Sequence, residues 1–425
     1  MVEKLDKEKK SISHYFKTIF ISFSQLAFGE FFSKVFGFFT MVYLARVLGA
    51  ENFGLVGFVS TISAYVVLFA NFGVEQYAAR TLAASPLKEN EQLIGNVIGS
   101  RFILSLLLFI PFIWFGIFYS NTSGEVWLFI FQSLFILACA FNLQFYFVAV
   151  KNISTLTLIK TAISSCILLC SYLFVKGPSD LPLVTLVSGT ITLLAFLWSV
   201  RYVFHKERLH YKAFSFSNIF PLLKGAAPLG VSALMIQIYY SADIVFLGFT
   251  NPGVELGYYT GAYRIILLFT LIPGFFYSIF LPELAKITTD HFKNKYTQLY
   301  IGLLISFGCI LSVVSYIWSA EIINLVLGKT YLPAVGVFKI LLMNVFMVFV
   351  NVALGNLLIA WNKHNKYLLV VTSGAVANIA CNIVLIPQYG IYGAAVSTVV
   401  AECAVFVAAL YYTHTIFGLV NKEAS

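Results

Sequence analysis

Apolar residues run through this chain in long blocks, from Ile19 almost to Thr413, with only short polar connections between them. A helix needs about 20 such residues, at 1.5 Å each, to cross the hydrocarbon core of a bilayer. Runs of that kind can be drawn at residues 20–44, 53–72, 97–117, 126–148, 156–175, 183–204, 222–249, 258–281, 300–327, 337–361, 368–386 and 391–412. The alternation of polar and apolar positions that marks a membrane β-strand is not apparent. The pattern predicts an all-α polytopic membrane protein with about twelve transmembrane helices.

The longest polar connection, about residues 202–220, is too short for an extra domain, so whatever the protein does it does within the membrane. It divides the chain into two sets of six runs, which we read as bundles at residues 1–213 and 214–425. The halves are faintly alike. The first run of each ends in Leu-Gly (Leu48-Gly49, Leu247-Gly248), and the next opens on Phe53-Gly54 or Leu256-Gly257. "KNISTLTLIKTAISSC" and "KYLLVVTSGAVANIAC" both run from Lys to Cys over one spacing, Lys151 to Cys166 and Lys366 to Cys381. Two six-helix repeats of one orientation are expected to meet about an axis along the membrane normal and enclose a central cavity.

Composition agrees: 60% of the 425 residues are hydrophobic and only 11% charged, against about a quarter in soluble domains. Of 27 Lys and Arg, 20 fall in the polar head (residues 1–17), in alternate connections and at Lys422, while Arg46, Lys176 and Lys329 lie on the opposite side. This bias puts both termini in the cytoplasm. It also explains the net charge of +9, so nucleic acid is not implied. The head leads into a run much longer than a signal-peptide core, and no cleaved signal is expected. Cys139, Cys166, Cys170, Cys309, Cys381 and Cys403 all fall inside apolar runs, without metal-ligand spacing or a disulfide framework.

Ionisable residues far from the loops are costly in a bilayer and are read as functional. The cations are Lys34, Lys160, Arg264 and Lys339; the acids are Glu30, Asp243 and Glu402, with Glu283 and Glu321 nearer the ends. In the first run Glu30 and Lys34 are each roughly 18–20 Å along the helix from the nearest flanking cation, hence close to the bilayer centre. On a helical wheel Ala27, Gly29, Ser33, Lys34, Gly37, Thr40 and Met41 gather on the side of Glu30. Phe28, Phe31, Phe32, Phe36, Phe38 and Phe39 take the opposite, lipid-suited arc. Arg264 similarly shares a face with Thr260, Tyr263, Thr270, Gly274 and Ser278. Fixed cations on such faces suit an anionic cargo; a structural Glu30–Lys34 ion pair is the competing explanation. Gly225, Pro228 and Gly230 in the seventh run are candidates for a hinge. Tyr239, Tyr240, Tyr258, Tyr259, Tyr263 and Tyr277 could stack on sugar rings or serve as interface anchors. No nucleotide loop, zinc-protease helix or nucleophile elbow is present.

Three stretches carry a resemblance: "ARVLGAENFGLVGFVSTISAY" (45–65), "NFGVEQYAAR" (71–80) and "NIVLIPQYGIYGAAVSTVVAE" (382–402). In these motifs, their order, and the chain's length and span count, the sequence resembles the bacterial polysaccharide or O-antigen flippases (Wzx or RfbX type) of the multidrug/oligosaccharidyl-lipid/polysaccharide exporter superfamily. The resemblance implies two six-helix bundles in a V around a central cavity. It implies a multi-pass protein of the bacterial inner membrane that is not an enzyme. Such a protein moves an oligosaccharide linked to undecaprenyl diphosphate between leaflets by alternating access. It further implies Lys34 and Arg264, helped by Lys160 and Lys339, as diphosphate and glycan contacts. Glu30, Asp243 and Glu402 are the candidates for coupling to H⁺ or Na⁺, and no other cofactor or metal is expected. Partners would be the lipid-linked substrate, membrane lipids and proteins of polysaccharide assembly, with the chain itself a monomer. A multidrug and toxin extruder of the same superfamily would favour an acid-dominated cavity, whereas interior cations here at least equal the acids. A membrane-embedded polymerase or ligase would carry a large periplasmic loop, and none is long enough here.

Overall fold

The computed structural model describes residues 31–84, 91–207, 215–287, 292 and 294–415, together with the helical backbone of 2–30 and 416–423. Fourteen helices account for nearly all of it: α1 Val2–Asn71, α2 Val74–Ala84, α3 Glu91–Tyr119, α4 Ser123–Ala140, α5 Gln144–Ala149, α6 Ile153–Phe174 and α7 Leu181–Lys206. They continue with α8 Ile219–Thr250, α9 Val254–Phe269, α10 Ile272–Leu284, α11 Lys295–Ile317, α12 Ser319–Val326, α13 Val335–Ala360 and α14 His364–Glu423. Among the described residues there is no strand.

Among the described residues ten helical stretches are long and apolar enough to span a membrane. The two longest, 31–71 and 364–415, are each broken once, at Gly49 (φ 76°) and Gly390 (φ 54°). Positive φ is cheap for glycine and costly for residues with a Cβ, so one glycine can end one helix and redirect the next. Two pairs of predicted runs meet at these points, where the expected loop shrinks to a single residue. Elsewhere one predicted run becomes two helices. The fourth divides into α4 and α5 around Phe141–Leu143, and the eighth into α9 and α10, with Pro273 in the first turn of α10. Proline lacks an N–H and is tolerated there because that donor would have no partner. Side chains cap other helix starts: Thr122 accepts from the Glu125 N–H, Asn152 from Thr155 and Asn294 from Tyr296.

The chain groups into two compact units, Met1–Val47 with Ser63–Val231, and Leu48–Ile62 with Ser232–Ser425. In the first, α4 lies along α7, with α3 against α4, α6 against α7 and α2 against α5. Val74, Ala78, Ile94, Val97, Phe145, Phe147 and Val203 close the core at the α2–α5 end. Here Gly73 (φ 77°) meets the start of α8 so closely that a Cβ would lie 2.4 Å from the Gly230 nitrogen. The hinge candidates belong to this contact. A Cβ on Gly225 would fall 2.8 Å from the Tyr77 ring, one on Gly230 2.7 Å from the Phe72 carbonyl oxygen, and α8 passes Pro228 as a continuous helix.

The second unit is built on α13, the most buried of the spans, which contacts α9, α10, α11 and α14. Its segment 48–62 packs on α9 through small residues. A Cβ at Gly257 would sit 1.8 Å from the Ala50 carbonyl oxygen, and one at Gly54 2.5 Å from the Gly257 nitrogen. The Phe53-Gly54 and Leu256-Gly257 pairs that signalled the repeat therefore pack against each other. This is the small-residue route to close helix association in membranes, where no hydrophobic drive separates helix from lipid.

Candidate functional site

Within the first unit a cavity of about 390 Å³ opens between α1, the α4–α5 turn, α6 and α7. Both Lys34 of α1 and Lys160 of α6 line it, with Ser33, Ser164, Asn142, Gln144, Thr192 and Ser199 as further polar groups. Ser33 and Ser164 join α1 to α6 through a 2.6 Å hydroxyl contact. The Ser164, Thr192 and Ser199 hydroxyls donate to carbonyls of their own helices, at Lys160 (2.9 Å), Ser188 (2.7 Å) and Phe196 (2.7 Å). Their protons being engaged, these oxygens offer lone pairs. The lining thus combines two cationic N–H donors with hydroxyl acceptors and amides, a set matched to an anion attached to a hydroxyl-rich group. Among the described residues no carboxylate lies within ion-pair distance of Lys34. Glu30, the other half of the predicted pair, lies outside the described side chains. On the same helix Phe31, Phe32 and Phe39 are exposed.

The turn that carries Asn142 and Gln144 is held by Arg101, which the sequence places among loop cations and the structure buries inside α3 at 2% exposure. Its Nε and Nη2 donate to Asn71 Oδ1 at 3.0 and 2.7 Å, Nη2 also to Glu75 Oε2 at 3.3 Å, and Nη1 to the Asn142 carbonyl at 2.9 Å. The guanidinium lies 5.4 Å from the centre of the Phe145 ring. The planar fork suits this task because it meets several acceptors at once. The sequence signal for the clamp is the Asn71–Glu75 spacing within "NFGVE"; that for the cavity wall is Thr192 and Ser199, seven residues apart along α7.

Arg264 and Lys339 belong to the second unit. Arg264 is half-buried with its guanidinium 5.3 Å from the Phe53 ring centre, and no carboxylate of a described residue is paired with it. Lys339 lines a separate, largely apolar groove and lies over Tyr316. The two acids are buried. Asp243 of α8 accepts from the Tyr259 hydroxyl of α9, from Thr398 of α14 at 3.4 Å and from the Ile244 N–H at 2.9 Å. Glu402 of α14 accepts from the Tyr239 hydroxyl and, at 2.5 Å, from Asn351 of α13, a residue the sequence reading passes over. Glu402, Tyr239 and Asn351 share a small cavity of about 110 Å³ with Tyr240, Asn356 and Tyr367. Tyr239 and Tyr259 are therefore engaged with carboxylates, and Tyr263 donates to the Tyr240 carbonyl at 2.7 Å. Among the described residues no group of three metal-ligating side chains occurs.

The multi-pass helical chain carries a lysine-lined polar cavity and buried carboxylates within its membrane spans, and solved structures share its fold. It superposes on lipid II flippase MurJ in an inward closed conformation with a TM-score of 0.74 at 16% identity, covering 91% of this chain and 87% of that one. An inward-facing multidrug resistance MATE family transporter of the MOP superfamily gives 0.67 at 13% identity, covering 92% and 96%. This protein belongs to the polysaccharide biosynthesis protein family, whose profile its residues 21–288 match. A curated Escherichia coli (strain K12) relative named "Putative O-antigen transporter" is 22% identical over 237 residues, 52% of this chain and 54% of that protein. The chain thus spans about half the length of the curated relative it matches.

Proposed function

We propose that this protein is a flippase that moves an oligosaccharide linked to undecaprenyl diphosphate across the bacterial inner membrane by alternating access. The observation that carries the reading is the meeting of Lys34 and Lys160 in one cavity whose other polar groups are hydroxyls and amides. A diphosphate needs cations, a glycan needs hydrogen-bonding partners, and the polyprenyl tail can stay in lipid. Lys34 and Lys160 hold the diphosphate, and Arg264 in the second unit is a further cation suited to an anionic cargo. Asp243 and Glu402 couple transport to H⁺ or Na⁺, since each is a buried carboxylate whose neutralisation would alter a hydrogen-bonded junction between helices. Both termini are cytoplasmic, in keeping with the distribution of Lys and Arg.

The reading is tested by export of surface polysaccharide in cells that depend on this gene, with the amount of folded protein in the membrane measured alongside. Lys34→Ala, Lys160→Ala and Arg264→Ala are expected to reduce export strongly at unchanged protein level. Normal export by the Lys34→Ala/Lys160→Ala double variant would overturn the anion site. The fold shared with MATE transporters supports a second reading, an extruder of organic cations. Drug resistance conferred by the wild type, without any effect on polysaccharide, would establish it instead.

A further inference from the structure

The geometry points to a binding site for an anionic phospholipid in the groove of the second unit where Lys339 lies. The groove, about 540 Å³, is walled by Tyr316 and Val313 of α11 and Met343 and Phe346 of α13, with Val399 and Cys403 of α14 beyond them. Tyr316, Val313 and Met343 are exposed, and in a membrane-spanning chain an open apolar groove meets lipid rather than water.

Its charge is confined to one end. Lys339 is the fifth residue of α13 and Tyr316 the penultimate one of α11, so both stand beside the 318–334 connection, within about 6 Å of the ends of their helices. From there the groove descends past Met343 to Met347, and along α11 to Cys309, roughly 10–12 Å in each case. One leaflet of hydrocarbon is about 15 Å deep, half of the bilayer core. The groove therefore has a cation at headgroup level and an apolar channel that covers most of one leaflet. That is the outline of a phospholipid with an anionic head.

Nothing else described answers the charge. Among the described residues no carboxylate pairs with Lys339. A lysine near a helix end can extend its stem to the interface, yet here the ammonium lies 4.9 Å from the centre of the Tyr316 ring, at the mouth of the groove. Ser312, which also lines the groove, has a buried hydroxyl without a hydrogen-bond partner. Phosphatidylglycerol, one negative charge and two acyl chains, satisfies the lysine and fills the channel. Phosphatidylethanolamine brings its own ammonium to compete for the same phosphate.

The test is native mass spectrometry of the purified full-length protein in detergent, titrated with phosphatidylglycerol or phosphatidylethanolamine. Wild type is expected to favour phosphatidylglycerol about fivefold, the effect of one cation on an anionic lipid. Lys339→Gln should abolish that preference, and Lys329→Gln, an exposed lysine of the same connection, should retain it. Met343→Trp, which leaves Lys339 in place and obstructs the channel, should lower phosphatidylglycerol binding by itself. Equal binding of the two lipids by wild type, or an undiminished preference in Lys339→Gln, would overturn the proposal. So would retention of undecaprenyl phosphate in place of phosphatidylglycerol.

Discussion

An arginine inside a membrane helix is costly unless its charge and its N–H groups are all answered. Arg101 meets this condition with Asn71, Glu75 and the Asn142 carbonyl, and so fixes the turn beneath the Lys34–Lys160 cavity. Arg101→Ala leaves Glu75 partly buried without its cation, and a loss of about 3 kcal/mol is expected. It should appear as a lower melting temperature of the detergent-purified protein, with Arg101→Lys failing to restore it because one ammonium cannot span the same acceptors. Wild-type melting of Arg101→Ala would show that the clamp carries no stability. Glu402 calls for a different substitution. Glu402→Gln nearly preserves size and hydrogen-bonding capacity but removes the charge, so the protein should fold while transport ceases to follow an imposed ion gradient. Transport that still follows it would place coupling elsewhere. At this scale a charge that interrupts a long apolar run stands out in the sequence, as at Lys34, Lys160, Asp243 and Glu402. Arg101 does not stand out, because it lies ten residues from a polar connection and looks like part of it until the helix start at Glu91 is known.

Helix contacts in this fold are set by where a side chain is missing. The segment 48–62 approaches α9 through Gly54 and Gly257, and any Cβ at Gly257 would overlap the Ala50 carbonyl. Backbone cannot swing aside as a side chain can, so Gly257→Ala is expected to lower the yield and melting temperature of folded protein. Gly302→Ala in α11 has nothing within 4 Å of its new methyl and should be tolerated. Equal stability of the two variants would contradict this packing. The Leu-Gly and Phe-Gly pairs were visible in the sequence as a faint repeat, but not as the place where segment 48–62 packs on α9, because a repeat reports likeness and not contact. The breaks at Gly49 and Gly390 were hidden for another reason. Hydropathy measures the length of an apolar run, whereas a single positive φ turns the chain without any polar residue to announce it.

For the molecule as a whole, fold class came directly from hydropathy, since a chain of apolar runs must satisfy its backbone within helices once it lies in lipid. The family profile over residues 21–288 and the likeness to MurJ and MATE structures agree with that class. What hydropathy could not supply was the grouping of the intramembrane charges, which depends on tertiary packing. Lys34 and Lys160 are separated by 126 residues of sequence yet line one cavity, while Lys339 lines an apolar groove and the two acids sit in tyrosine-bonded junctions. In the proposed function the lysine cavity takes the diphosphate of a lipid-linked sugar. The most direct measurement is translocation of a fluorescently labelled undecaprenyl-diphosphate oligosaccharide between the leaflets of proteoliposomes containing the purified protein. Wild type should translocate it, and Lys34→Ala/Lys160→Ala, reconstituted in equal folded amount, should be slower by at least about tenfold, the effect of losing about 1.4 kcal/mol of interaction. Equal rates from the two proteins would rule out the lysine cavity as the diphosphate site.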